Sequence, residues 1–239
     1  IGAFLRMVPL IYLAQILRVK VCGELAGANF IFLEEGGWKK TTGLHFLRKL
    51  HSIRFLGASV AKHHEPYGFK NTAVFPNGME HPCAGTPIDC LPDSARLELL
   101  YVGELSRSKG VERIIHALQR CRTEGLDVAC TLIGEWKEPN FEREMQEFIR
   151  QNRLDTMITF TGLLKGSEKW AFYSKAHVLT HPTDLDGQPI SILEAMGSGL
   201  AVISTHVGAI PDTIEDGVNG YLLPEISAEA LHEAIRKLY

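Results

Sequence analysis

From residue 97 to the end of the chain, short apolar runs alternate with stretches in which apolar residues recur every three or four positions. The first pattern is that of buried strands and the second that of amphipathic helices. Read in order, it predicts strands at Leu97–Val102, Val128–Ile133, Met157–Phe160, Val178–Thr180, Ala201–Ser204 and Gly220–Leu223. Helices are predicted at Val111–Arg122, Phe141–Asn152, Ser167–Lys175 and Pro189–Gly197, with a short one near Ile210–Ile214 and a last one at Ala228–Tyr239. Strands that alternate with helices imply βαβ crossovers, hence a parallel sheet covered on both faces. Ligands of such sheets sit outside the carboxyl ends of the strands.

The first part of the chain is less regular. Ile1–Leu17 reads as a helix, but it holds Arg6, Pro9 and Gln15 and is short for a membrane span. It shows neither an initiator methionine nor a signal-peptide cleavage pattern, so the expectation is a buried helix of a larger domain. Val19–Leu25 reads as a strand, Ala28–Leu33 as a strand or a loop, and Glu34-Glu35-Gly36-Gly37-Trp38 as a glycine-rich turn. A helix at Leu44–Leu50, a strand at Ile53–Ala58, a helix near Ser59–Glu65 and a strand at Thr72–Phe75 follow, ending in the turn Pro76-Asn77-Gly78. Glu80–Ser94 carries Pro82, Pro87, Pro92 and Gly85 without a helical period, as a linker would. The expected division is therefore a partial first domain at 1–80, a linker at 81–96 and a second domain at 97–239. The chain reads as part of a longer protein, since it opens inside one element and stops inside another.

Composition narrows the function classes. The 239 residues can build one large core or two small ones, and 45% hydrophobic with 22% charged residues is ordinary for a globular protein. A net charge of -3 offers no basic excess for nucleic acid as the main partner. Five cysteines without CxxC pairing argue against a zinc site or a disulfide framework and for a reducing cytoplasm. His63, His64 and His206 lack partners at metal-ligand spacing, so no metal is expected.

The most informative stretch is Thr180–Gly197, a strand end, a polar loop and a helix start. A helix start presents unsatisfied N–H groups and the positive end of the macrodipole, which suits a phosphate. Pro189 fits the first turn, where its missing N–H costs nothing. Gly187, Gln188 and Pro189 shape the turn, and the N–H groups of Ile190 and Ser191 are candidates to hold a distal phosphate. Asp186 and Glu194 bracket it. Carboxylates bind hydroxyls, and a phosphate with hydroxyls on both sides describes a nucleotide sugar. Glu194, two turns into the helix, can accept bonds from both ribose hydroxyls; the alternative is a helix-face glutamate in solvent. Earlier, Gly103-Glu104-Leu105-Ser106-Arg107-Ser108-Lys109-Gly110 is a polar loop between glycines that opens a helix, suited to a diphosphate. Lys109 can reach the leaving phosphates as a mobile point charge, or it can cap a solvated turn.

Acidic-Gly-x-Pro-x-Ser-x-Leu-Glu-Ala-Met-x-x-Gly from Asp186, followed by Ala201-Val202-Ile203-Ser204-Thr205-His206-Val207-Gly208-Ala209-Ile210-Pro211, resembles the signature of retaining glycosyltransferases of family four. The resemblance runs from about Ser52 to the end and is strongest from Leu99 to Pro224. It implies an α/β fold of GT-B type: a Rossmann-like donor domain with a parallel sheet, and here part of a second Rossmann-like domain. It implies transfer of a sugar from a nucleotide sugar to a saccharide, lipid-linked or small-molecule acceptor in glycan or polysaccharide biosynthesis. By the same resemblance Asp186 orients the donor sugar, Glu194 holds the ribose, and Lys109 serves catalysis at the diphosphate with Gly103 and Arg107. Gly134 belongs to a glycine-rich turn near the nucleotide, and Thr161-Gly162-Leu163-Leu164 to the segment that reads the base through its backbone. An acceptor-side glycine loop is also implied, with Glu34–Gly37 and Gly27 as candidates.

Two positions depart from the family pattern. Asp186 replaces the usual glutamate, and Glu104 stands where the loop Gly-Arg-x4-Lys-Gly has arginine. Either Arg107 supplies the missing charge or Glu104 faces away. Trp136 either stacks on a ligand or packs on the following helix. The nucleotide sugar is a substrate, and neither cofactor nor metal is expected. Location is expected to be cytoplasmic, with room for peripheral association at the inner membrane face through the N-terminal domain. A non-catalytic nucleotide-sugar-binding module and a GT-B epimerase are the alternatives, the latter disfavoured by the spacing of the two acids.

Overall fold

The computed structural model describes residues 8–25, 33, 36–80 and 96–239. Residues 81–95 of the expected linker, with Gly27, Glu34 and Glu35, lie outside the described residues. The chain forms two units. The first comprises Ile1–Asn77 with Leu185–Gln188 and Val207–Asp212; the second comprises Gly78–Asp184, Pro189–His206 and Thr213–Tyr239.

In the first unit, α1 (Val8–Ile16), β1 (Cys22–Leu25), α2 (Gly37–Leu47), β2 (Ser52–Phe55), α3 (Ala58–His64) and β3 (Thr72–Val74) follow one another. The three strands pair in parallel in the order β1-β2-β3. Leu25, Leu47, Ile53, Phe55, Leu56 and Val60 form its core. Helix α1 departs from the expected buried helix. Ile11 alone of its residues is buried, while Leu10, Leu13 and Ile16 are exposed, Ile16 to 77%. Tyr12 meets Phe46 edge-on, Lys49 sits over the Tyr12 ring, and the Gln15 amide donates to the Lys49 carbonyl at 3.4 Å. Among the described residues no helix is long and apolar enough to cross a membrane. Helix α2 begins well before the predicted Leu44, because Gly36, at φ 75°, supplies the left-handed backbone ahead of its first turn.

Helix α3 has no side-chain cap of its own. The Asp212 carboxylate accepts the Ser59 N–H at 2.9 and 3.1 Å and the Ser59 hydroxyl at 3.0 Å, so a negative charge from a distant segment covers the helix start. A Cβ on Gly57 would lie 2.1 Å from Asp212 Oδ2, so only glycine lets the carboxylate approach. Asp212→Ala is expected to cost about 1 kcal/mol, the usual value of an N-cap, and to lower Tm by about 2–4 °C. A thermal melt reads this directly, and an unchanged Tm would remove the cap from the list of stabilising interactions.

The second unit holds β4 (Leu97–Val102), α4 (Val111–Glu124), β5 (Val128–Ile133), α5 (Pro139–Gln151), β6 (Ile158–Gly162), α6 (Gly166–Tyr173), β7 (Val178–His181), α7 (Ile190–Gly197), β8 (Ala201–Ser204), β9 (Tyr221–Leu222) and α8 (Ala228–Leu238). All paired strands are parallel, in the order β6-β5-β4-β7-β8-β9. Counted from β4 this is the 3-2-1-4-5-6 order of doubly wound nucleotide-binding sheets. Tyr101, Ile114, Ile115, Leu118, Leu132, Met145, Leu231 and Ile235 fill one core, to which α4, α5 and α8 turn their apolar faces. Ser227 caps α8 by accepting the Ala230 N–H at 3.0 Å.

Candidate active site

Strand order reverses between β4 and β7, and such a switch point opens a crevice at the carboxyl ends of the two strands. The chain builds its polar loops there. The Ser108 carbonyl accepts the Asp184 N–H at 2.9 Å and the Thr183 hydroxyl at 3.2 Å. Gly110, at φ 81°, packs so closely that a Cβ would lie 2.0 Å from the Pro182 carbonyl oxygen. The Arg113 guanidinium donates to that carbonyl at 3.1 Å and to the Asp184 carboxylate at 2.6 and 2.8 Å. Lys109 thus rides on a loop fixed on both sides to the end of β7. His181 stacks on Tyr101 at 5.9 Å and is buried, a packing role in keeping with its place before a proline.

Backbone hydrogen bonds also join the loops after β4, β5 and β6. Leu105 N–H donates to Glu135 O at 2.9 Å, Lys137 N–H to Leu105 O at 3.1 Å, and Gly134 N–H to Gly162 O at 3.0 Å. These loops frame a pocket of about 520 Å³ whose lining includes Gly103, Glu104, Gly134, Lys137, Leu163 and Lys169. That volume suits a nucleotide-sized guest. Glu104 is paired with Lys137 at 3.0 Å, and this hydrogen bond holds its carboxyl below the ordinary carboxylate range. Arg107 instead lies between Glu112, at 2.7 Å, and Glu144, with its guanidinium 4.6 Å over the Phe141 ring. Lys137, not Arg107, therefore balances the misplaced acid. Trp136 packs against Phe141 and Phe160 and at the same time lines this pocket.

Helix α7 starts at Ile190, with Pro189 in the N-cap position at φ −63°, ψ 124° and no side-chain cap. Its first turn thus keeps N–H groups that no capping side chain covers. Ile190 is 41% exposed and Ser191 is buried. Glu194 is only 8% exposed, which rules out the solvated glutamate. Its Oε1 receives the Lys169 ammonium at 2.5 Å and its Oε2 the Tyr173 hydroxyl at 2.7 Å. Burial, and then the bond to Glu194, push the Tyr173 phenol well above its ordinary range, so it stays a donor. Sequence reasoning missed Lys169 and Tyr173. The available signal was their i,i+4 spacing on α6, which sets both on one face.

The loop Leu185–Gln188 belongs to the first unit. Asp186 Oδ1 accepts the N–H of Gly187 at 2.9 Å. Gly208, at φ 58°, leaves space for the carbonyls of Asp186 and Gly187, each 2.3 Å from where its Cβ would be. Ala209 N–H donates to Gly187 O at 2.7 Å. Gln188 Oε1 accepts the Asn77 N–H at 2.6 Å and Gln188 O the Asn77 amide at 3.1 Å, which holds the expected Pro76-Asn77-Gly78 turn as irregular backbone. Among the described residues no group of three or more His, Cys, Asp or Glu gathers as a metal site. Cys121 and Cys130 are buried thiols, Cys121 pushed up to about 12 by desolvation.

A parallel sheet in this order, with glycine-framed loops at its switch point, is Rossmann-like, and its likeness to solved glycosyltransferases gives the fold as GT-B. HepE of Anabaena, in a crystal structure with UDP, superposes with a TM-score of 0.76 at 18% identity, covering 95% of this chain and 64% of its own. The model of the family described as glycosyl transferases group 1 matches residues 91–239, and the chain belongs to that family. AmsK of Erwinia amylovora, an amylovoran biosynthesis glycosyltransferase, is 28% identical over 148 residues, 59% of this chain and 36% of AmsK. A protein of Salmonella typhimurium assigned to colanic acid biosynthesis as the glycosyltransferase WcaL is 32% identical over 143 residues, 56% of this chain. The matched segment spans 34% of that relative.

Proposed function

We propose that this chain carries the donor site of a retaining glycosyltransferase that moves a sugar from a nucleoside diphosphate sugar to a saccharide or lipid-linked acceptor in polysaccharide biosynthesis. The observation that carries the reading is the buried Glu194 carboxylate, held by Lys169, which itself lines the pocket bounded by Gly103, Gly134 and Leu163. A carboxylate buried and fixed in this way is an acceptor for a pair of hydroxyls, as the ribose of a nucleotide offers. The HepE structure with UDP, and the polysaccharide pathways named for AmsK and WcaL, support the same class of donor and product.

In the mechanism the bond from the anomeric carbon to the diphosphate oxygen breaks and a bond from that carbon to the acceptor oxygen forms on the same face. The leaving phosphate oxygen takes the acceptor proton. Charge grows on the diphosphate, where Lys109 and the N–H groups of Ile190 and Ser191 stabilise it. Asp186, on the loop ahead of α7, orients the sugar through its hydroxyls. Lysine and helix start supply the positive charge, so the reading calls for no metal, and transfer is expected to survive a chelator. The site of action is the cytoplasm, where activated sugars are at hand, at the inner membrane face if the acceptor is a lipid-linked saccharide.

The test is a panel of UDP-, GDP- and dTDP-sugars offered with saccharide and lipid-linked acceptors, with the anomeric configuration of the product read by NMR. Retained transfer supports the proposal, binding without product makes the chain a binding module, and an isomerised donor makes it an epimerase. Glu194→Ala is expected to weaken nucleotide binding by roughly 1–3 kcal/mol, the range for bonds to a charged group. Calorimetric titration showing unchanged affinity would overturn the ribose assignment.

A further inference from the structure

Glu194 is unusual among the polar groups of this unit in being buried, charged and flanked by two donors from a single helix. Lys169 and Tyr173 stand four residues apart on α6 and reach different oxygens of the same carboxylate. The Lys169 side chain is only 19% exposed, and its ammonium lies 4.9 Å from the centre of the Trp170 ring and 6.0 Å from that of Tyr173. Aromatic faces and a carboxylate therefore fix where it points. A carboxylate has about four lone-pair sites, and these two donors occupy one on each oxygen. Two sites remain, in a geometry that the carboxylate cannot rotate away from without breaking both bonds. Vicinal hydroxyls need that: two acceptors at a set spacing, already desolvated.

Resting on the ribose assignment of Glu194, we propose that Lys169 is a positioning residue that sets the Glu194 carboxylate to recognise the 2′- and 3′-hydroxyls together, and so makes the site selective for ribonucleotide over 2′-deoxyribonucleotide donors. A pocket that hydrogen-bonds a hydroxyl rejects the analogue without it, because the acceptor is then left buried and unpaired. Removal of the ammonium frees the carboxylate to turn about Tyr173, and this discrimination falls. A second role follows from charge. The ammonium offsets the buried carboxylate, in a unit that must also admit a diphosphate.

The experiment compares dissociation constants of UDP, GDP and their 2′-deoxy counterparts for the unaltered chain and for Lys169→Met, Lys169→Arg, Tyr173→Phe and Glu194→Ala. The unaltered chain is expected to prefer the ribonucleotide by roughly ten- to a hundredfold, the value of one hydrogen bond to a charged acceptor. Lys169→Met should bring that ratio close to one, Lys169→Arg should restore most of it, and Tyr173→Phe should lower it in part. If Lys169→Met weakens both nucleotides of a pair equally and leaves the ratio intact, Lys169 acts only on the diphosphate or on stability, and the proposal fails. If Glu194→Ala keeps the ratio, the ribose assignment is what fails, whatever Lys169 does. Should Lys169→Met not fold, Lys169→Ala is measured in its place, and an unchanged ratio there overturns the positioning role. No binding of any of the four nucleotides overturns both readings.

Discussion

Lys109→Ala is expected to reduce sugar transfer by about 10²- to 10³-fold while leaving the fold intact, the usual loss when one preorganised donor to a developing charge is removed. The expectation rests on where the backbone holds this lysine. On one side the Ser108 carbonyl is bonded to Thr183 and Asp184; on the other Gly110 packs against Pro182. The residue therefore stands at the topological switch point by virtue of main-chain geometry. Truncation should lower kcat more than it raises KM for the donor, because the negative charge that the ammonium meets grows as the diphosphate departs. Steady-state kinetics with a donor accepted by the unaltered chain settles the point. An intact turnover number would place the diphosphate elsewhere.

Gly134→Ala should do the opposite and attack the scaffold. The added Cβ would lie 1.8 Å from the carbonyl oxygen of Gly103, a backbone atom with no room to give. Either the ends of β4 and β5 separate, breaking the bonds from Leu105 to Glu135 and from Lys137 to Leu105, or the substituted chain fails to close the sheet edge. A cost of about 3–5 kcal/mol is expected, at the severe end for a single substitution, with Tm lower by roughly 10 °C. Nucleotide binding should fall with it, since both glycines line the pocket. A melting curve within a degree of the unaltered chain would mean that the close approach is not kept in solution.

Much of the second unit could be read from the chain because its physics is local. Each strand is a short apolar run, as parallel strands buried on both faces must be, and α4, α5 and α8 carry clear apolar faces. Six strands and their crossovers were placed to within a residue or two. The first unit was harder. Gly36 and Gly37 read as breakers, yet one of them caps α2 and the other begins it. The Gly103–Gly110 loop, and Glu194 with the α7 start, were legible because each sits within one short continuous stretch. The partners of Glu194 were not, since Lys169 and Tyr173 are 25 and 21 residues away and meet it only when α6 packs on α7. Lys137 as the counter-charge of Glu104 lies 33 positions on, and the Asp212 cap of α3 lies 153 from Ser59, separations at which no periodicity informs.

The loops after β4, β5 and β6 are fastened to one another by main-chain groups, through Leu105, Glu135, Lys137, Gly134 and Gly162. Peptide groups are the same whatever side chain they carry, so at positions other than Gly134 the cradle keeps its shape when its decoration changes. A glutamate can then replace an arginine at position 104 and recruit a lysine across the seam without disturbing its neighbours. A frame of this kind keeps its geometry while most of the side chains it carries are exchanged.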